Sequence, residues 1–327
     1  MVGIRSLTAR SLNDSLQPGL SRGDDADRDG LGRSHATLTS AATAVNDAHP
    51  EPRVGHNVRM RKALVGVAAV LLAVVVVLLA AVGVDFGTSI YAEYRLARVV
   101  RDKARLGFDP FVAIIAFPLI PQAMRHRYED VEIKATAVDR PVIGKATLEA
   151  TMHSVGLTDA SWLIRPDAKL PVGKLESRII IDSRHLGHYL GIRDLIVEAP
   201  AKDTNNTTGG TTESGISGSH DLVFSGTPRA AHFEKRVSVA VDLSMAGDDH
   251  TTLVFTPTGV LTGPNTANQP VPADKRDAVL AAFTGRLPDQ KLPFGVTPTT
   301  QGARGSDVII EGITSGLTIT LDGFNRA

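Results

Sequence analysis

Residues 63–84 (ALVGVAAVLLAVVVVLLAAVGV) form the longest apolar run in the chain, 22 residues without a charge. As a helix this run measures roughly 33 Å, enough to cross a hydrocarbon core of about 30 Å. A helix is also the one conformation that satisfies such a backbone in lipid. A buried core helix is a poor reading, because soluble folds seldom hold so long an uninterrupted run. A cleaved signal peptide is the stronger rival. Its apolar region would measure about 7–15 residues, shorter than this one, and the small-x-small triplet Ala81-Val82-Gly83 is a weak cleavage site. A retained anchor over residues 60–86 is therefore expected. Arg59, Arg61 and Lys62 abut its start, whereas the first basic residue beyond it, Arg95, lies eleven residues on. That asymmetry predicts a cytoplasmic N-terminus and an exported C-terminal part.

Before the run, residues 1–59 show no periodicity and are rich in Ser, Thr, Asp, Gly and Arg. They cannot bury enough surface to offset chain entropy, so disorder is expected. Met60 followed by Arg61-Lys62 looks like a natural start, which makes residues 1–59 a dispensable tail or an over-long gene start.

After the run, residues 88–106 carry a helical period. Ala92, Leu96, Val99, Val100 and Leu106 share one side, and Arg95, Arg98, Arg101 and Arg105 share the other. The arginines are either a solvated face or contacts with anionic head groups beside the anchor. Residues 111–121 (FVAIIAFPLIP) are too short and too proline-rich to span a membrane, and read as core or as an apolar lip. Then a period of two takes over: Val131, Ile133, Ala135, Ala137; Ala146, Leu148, Ala150, Met152; Val237, Val239, Val241, Leu243; Leu317, Ile319, Leu321. Such one-sided strands suit an antiparallel sheet with one apolar face.

Turns are expected at Asp139-Arg140-Pro141, Gly247-Asp248-Asp249 and Thr262-Gly263-Pro264-Asn265. Residues 205–218 read as a mobile loop. Two helices interrupt the strands, one capped by Ser183 and running to Gly191. The other opens at Pro272, with Val279, Leu280 and Phe283 on one side and Gly285 at its end. The fold class is α+β: an N-terminal transmembrane helix, then a β-rich domain over residues 87–327 with an antiparallel curved sheet packed on helices.

Composition narrows the chemistry. There are no cysteines, which excludes disulfides, thiolate metal sites and cysteine nucleophiles. The chain carries 35 basic and 35 acidic side chains, so no net field favours nucleic acid. No catalytic constellation convinces. Gly215-Ile216-Ser217-Gly218-Ser219 nearly spells a nucleophile elbow, but its last position is Ser and its surroundings are polar and loop-like. His185 and His188 lack a third ligand. Asp248-Asp249-His250 reads as a hairpin turn. Glu129, Asp130 and Glu132 form the one dense acidic cluster in a strand region, and alternation puts Asp130 and Glu132 on an exposed face. No Gly-rich phosphate loop is present for a nucleotide sugar. Arg125-His126-Arg127 is a candidate head-group clamp or a solvated helix end. No metal, cofactor or catalytic residue is expected.

The segments YAEYRLARVVR, FPLIPQAMRHRYEDVEIKA and GKATLEATMHSVGLTDASWLIRPDAKLPVGKLESRI resemble the mycobacterial mannan chain length control protein LmeA family. So do GVLTGP, RLPDQKLPFGVTPTT and GSDVIIEGITSGLTITLDGF. The resemblance covers about 235 residues, from Tyr91 onward, and the N-terminal extension departs from it. It implies an exported, plasma-membrane-associated factor of the cell envelope, needed for full-length lipomannan and lipoarabinomannan. It also implies phospholipid binding and features of tubular lipid-binding folds, in which a curved sheet wraps a long helix. It carries no catalytic set. The expected function is a lipid-binding accessory factor for mannan elongation on phosphatidylinositol-based anchors. The rival readings are a scaffold for a membrane mannosyltransferase and a glycan-active enzyme with an unrecognised site. The candidate lipid-binding residues are Arg125, Arg127, Phe117, Leu119, Val279 and Phe283.

Overall fold

The computed structural model describes residues 55–115, 117–157, 161–199 and 221–325. The elbow-like stretch at 215–219 and the loop expected at 205–218 lie outside the described residues, as does most of the 1–59 segment. Residues 1–61 form one unit, of which only the start of the first helix is described. Residues 62–327 form the other, which holds every strand and both clefts described below.

The apolar run and the amphipathic segment after it are one helix, α1 (Gly55–Lys103). What changes along it is the environment. From Met60 to Val84 every residue is exposed, and burial begins at Asp85. The stretch Met60–Lys103 is long and apolar enough to cross a membrane. Beyond Asp85, Ala92, Leu96 and Val100 recur every four residues and are buried, the spacing that keeps side chains on one helical face. Arg95 and Arg98 stay exposed on the opposite side. Arg101 is held by Asp102 (2.9 Å) and Asp109 (2.9 Å). Arg105 lies past the end of the helix with φ of 54°, so it leaves the arginine stripe that its spacing suggested.

Residues 111–121 are core and lip at once. Strand β1 (Phe111–Ile115) buries Val112 and Ile114 and exposes Phe111 and Ile115. Helix α2 (Leu119–Met124) buries Leu119 and Ala123 and exposes Met124. A meander follows: β2 (Arg127–Arg140), β3 (Gly144–Gly156) and β4 (Leu170–Ile181). The chain then passes through α3 (Ser183–Leu190) into a second sheet: β5 (Ile196–Glu198), β6 (Asp221–Gly226), β7 (Val237–Ala246) and β8 (Thr252–Leu261). Helix α4 (Ala273–Ala281) leads to β9 (Gly285–Leu287), and β10 (Thr300–Arg304) and β11 (Asp307–Ile319) return to the first sheet.

All strand pairs are antiparallel, in the orders β1-β2-β3-β4-β11-β10 and β5-β6-β7-β8-β9. Register follows the period of two. Ala150 stands opposite Ile133 on one side and Ser177 on the other, so Ile133, Leu148, Ala150, Met152, Leu175 and Ile179 point to one face, and all are fully buried. The other face carries the cross-strand charge pairs Lys134–Glu149 (2.6 Å) and Arg178–Glu311 (2.5 Å), and within β4 the pair Arg178–Glu176 (2.6 Å). Burial opposes ionisation of Glu176, but Lys174, Arg178 and His153 outweigh it and hold that carboxyl below its usual range. Register shifts between Ala135 and Val138 in β2, and between Ala240 and Val241 in β7; such bulges bend strands and increase their twist.

Details of the helix ends and turns differ from the sequence reading. The cap of α3 is Asp182, whose carboxylate accepts from Arg184 N–H (2.7 Å), and Ser183 is the first helical residue. Gly191 closes that helix in the left-handed region (φ 72°), where a Cβ is unfavourable. Gly285 starts β9 and does not end α4. Asp139 and Arg140 belong to β2, so the turn comes at Pro141–Ile143. Leu321 falls in a closing 3-10 turn, Leu321–Asn325.

Candidate functional site

Two clefts flank the second half of α1. The first lies where burial begins. Asp85 is 4% exposed and accepts Leu119 N–H at Oδ2 (2.8 Å) and Ile120 N–H at Oδ1 (2.7 Å). These are donors that the first turn of α2 leaves without intrahelical partners. Glu93, two turns along α1, accepts Ile114 N–H from β1 (3.0 Å). A cavity of about 200 Å³ opens between these staples, lined by Asp85, Phe86, Ser89, Ile90, Glu93, Ile114, Phe117 and Leu119. Because both carboxylates are engaged by backbone N–H groups, the surface left to a ligand is mainly Phe86, Ile90 and Phe117. Arg125, the C-cap of α2, and Arg127, the first residue of β2, are exposed and make no ion pair among the described residues.

The second cleft is a groove of about 880 Å³ at the far end of α1. Its walls are Lys103, Ala104 and Arg105, the β7–β8 turn (Asp249, Thr251), residues 291–298, and Asp322 and Asn325 of the closing turn. Residues 291–298 lie close against β11 because position 312 is glycine. A Cβ there would sit 2.4 Å from Thr297 O and 2.7 Å from the Leu292 side chain. Three cations (Lys103, Arg105, Lys291) share the groove with the apolar surface of Leu292, Val296 and Pro298. Asp249 and Asp322 temper them, Lys291 also pairs with Asp289 (4.0 Å), and Thr251 hydrogen bonds hold the Asp249 carboxyl below its usual range.

Behind the Lys291 wall stands Arg140, 4% exposed. Its Nη2 donates to Lys291 O (3.3 Å), and Nε and Nη1 are buried without a hydrogen-bond partner among the described residues. Burial lowers its pKa from the ordinary guanidinium value, yet arginine does not deprotonate in proteins. Among the described residues the fold therefore holds a buried positive charge with no carboxylate paired to it, an arrangement proteins rarely tolerate. Gln290, also fully buried, donates Nε2 to Pro288 O (2.7 Å) and leaves Oε1 unpartnered.

The sequence candidates divide accordingly. Phe117 and Leu119 line the first cleft, with Arg125 and Arg127 on the same α2–β2 corner. Val279 and Phe283 are fully buried in the hydrophobic core and line neither cleft. Of the arginine stripe, Arg105 alone reaches a cleft, the distal one. Asp130 is bonded to His153 Nδ1 (2.5 Å), and among the described residues no group of three or more His, Asp or Glu is placed to hold a metal ion. Sequence reasoning missed Asp85, Glu93, Lys103, Arg140 and Lys291. Asp85 was detectable as the first charge after the apolar run.

Fold and clefts together define the class: an α+β domain of two antiparallel sheets, carried on one long apolar helix, with clefts that combine apolar walls and basic groups. The chain belongs to the LmeA-like phospholipid-binding family, whose model matches residues 83–313. No curated protein and no solved structure matches it.

Proposed function

We propose that the chain is a single-pass plasma-membrane protein of the cell envelope that binds phospholipid, with the distal groove as its head-group site. Residues 60–86 act as the anchor, residues 1–59 as a cytoplasmic tail, and residues 87–327 stand outside the cytoplasm. The observation that carries this reading is the placement of Lys103, Arg105 and Lys291 around the apolar floor of Leu292, Val296 and Pro298. Cations suit a phosphate diester and aliphatic walls suit glycerol and the first methylenes. Arg140 adds positive potential from behind the wall. Phe117 and Leu119, with Arg125 and Arg127 at the corner, form the entry near the bilayer, and Arg95 and Arg98 touch anionic head groups. Val279 and Phe283 serve as supports in the core.

The resemblance set out above extends the proposal to support of mannan chain elongation on phosphatidylinositol-based anchors beside a membrane mannosyltransferase, and to a tubular lipid-binding arrangement in which sheet wraps helix. Family membership supports binding, not catalysis, as the role.

Mass spectrometry of lipids co-purifying with the full chain tests the reading. Three partly exposed charge contacts of about 0.5 kcal/mol each amount to roughly a tenfold loss of affinity. The Lys103→Gln/Arg105→Gln/Lys291→Gln variant is therefore expected to retain about a tenth of the anionic phospholipid. Purified protein free of phospholipid, or a triple variant loaded like the wild type, refutes the groove.

A further inference from the structure

We propose that the corner formed by α2 and the segment after β3 is a membrane-docking surface, which seats the domain on the same bilayer that α1 crosses. The inference rests on the membrane-spanning reading of α1.

Large apolar side chains in the folded part of the chain are mostly buried. Six of the exposed ones belong to α1 just past Val84, to the α2 corner and to the segment after β3, while Phe108, Phe111, Val142, Ile196 and Ile313 are also exposed. Phe86 is 61% exposed, Ile90 58%, Tyr91 49%, Phe117 62%, Met124 77% and Trp162 38%. Hydrogen bonds and ring contacts tie their segments together. Asp85 holds the first turn of α2, Gln122 Oε1 accepts Glu129 N–H (2.9 Å), and Leu157 N–H donates to His126 O (2.9 Å). The Tyr128 hydroxyl donates to Trp162 O, and the rings of Trp162 and Tyr91 lie 6.4 Å apart. The patch is therefore one fixed surface.

Its position and chemistry both select a bilayer. At about 1.5 Å per residue, Phe86 and Ile90 stand only about 3 and 9 Å beyond Val84, at the height of the head-group layer. Tyrosine and tryptophan with an apolar body and a polar tip are the side chains that settle in that layer. The exposed Arg125 and Arg127 follow Met124 at the α2–β2 corner, where they suit anionic lipid. A surface continuous with the span, aromatic and edged with arginine, fits phospholipid better than a protein groove. Docking would also hold the mouth of the smaller cleft, between Phe86 and Phe117, against the lipid.

Trp162 is the one tryptophan in the chain, so its emission reports on the surface without labelling. The full chain is reconstituted in vesicles of phosphatidylcholine with a minority of phosphatidylglycerol. Docking predicts blue-shifted Trp162 emission, strong quenching by phospholipids brominated near the carbonyl end of the acyl chain, and protection from acrylamide. In the Phe117→Ser/Met124→Ser variant, two exposed positions whose change leaves the core intact, brominated-lipid quenching should fall by at least half. Flotation with the vesicles should be unchanged. Full acrylamide access with no brominated-lipid quenching, in protein that still floats after alkaline extraction, overturns docking and leaves the span standing. Equal quenching in the double variant overturns it too. Protein released by alkali overturns the spanning reading itself.

Discussion

Replacing Asp85 with alanine tests whether the buried carboxylate fastens α2 to the anchor helix. Two hydrogen bonds to an ionised acceptor are lost, from Leu119 N–H at 2.8 Å and Ile120 N–H at 2.7 Å. Such bonds contribute about 1.5–3 kcal/mol each. Leu119 is 1% exposed, so its N–H is left without water, whereas Ile120 is half-buried and regains part of its loss from solvent. The net cost is on the order of 3–4 kcal/mol. Asp85→Asn keeps one acceptor oxygen and should cost about half as much. Because α2 is only six residues long, the damage should stay local. Hydrogen exchange read by mass spectrometry should show the Leu119 and Ile120 amides exchanging about a hundredfold faster or more, the factor that about 3 kcal/mol implies. The central amides of β3 and β4 should keep their wild-type protection. Acceleration of less than about fivefold, which is about 1 kcal/mol, would refute the idea that Asp85 is the fastener.

Two further outcomes follow from buried polar groups. Arg140→Met removes an unpaired buried charge at the expense of one 3.3 Å bond to a carbonyl, so the unfolding free energy from denaturant titration should stay level or rise by up to about 3 kcal/mol while binding of anionic phospholipid weakens; destabilisation beyond about 1 kcal/mol would mean the guanidinium has a partner that the geometry does not reveal. Burial raises the Tyr128 hydroxyl to about 12 from 10.0, so the folded state holds that proton more tightly than the unfolded chain. Its contribution is intact below pH 10 and is lost as pH climbs through 10 to 12, by an amount on the order of 2–3 kcal/mol. Tyr128→Phe should lose stability at neutral pH through the missing bond to Trp162 O but show a flatter decline in that alkaline window, and equal slopes in chemical denaturation would contradict the assignment.

How much was legible in the sequence depended on how local the signal was. The charge-free run needed only its own length, and β2, β3 and β7 needed only alternation. Strand β4 (LPVGKLESRIII) and strand β8 (TLVFTPTGVL) carry glycine, proline or charge in their interiors, and their strand state is fixed by neighbours far away in sequence. Strand β4, for instance, pairs with β11 over eleven positions. Arg140 looked like turn chemistry because Pro141 follows it, whereas the bulge carries β2 two residues further and turns the guanidinium inward. Val279 and Phe283 show why an apolar helix side does not distinguish a lipid wall from a core. The same spacing serves both, and here the core uses them. The distal groove had no local signature, since Lys103, Asp249, Lys291 and Asp322 come from four separate segments.

The two clefts are joined by one rigid element, and that sets what each can do. From Asp85 to Lys103 the helix rises about 27 Å, more than twice the distance of about 8–10 Å over which salt screens a surface charge. On the proposed reading, the field of the bilayer hardly reaches the groove, and Lys103, Arg105, Lys291 and Arg140 must select the ligand by themselves. A lipid resting in the membrane cannot place its phosphate there. Either the lipid leaves the bilayer or it carries a head group long enough to reach the groove. The small cleft, too confined for a whole phospholipid and floored by carboxylates already spent on backbone, suits passage or grip at the surface. On that proposed reading, selection at one end of the helix and attachment at the other would let the domain discriminate head groups without competing with the bulk lipid beneath it.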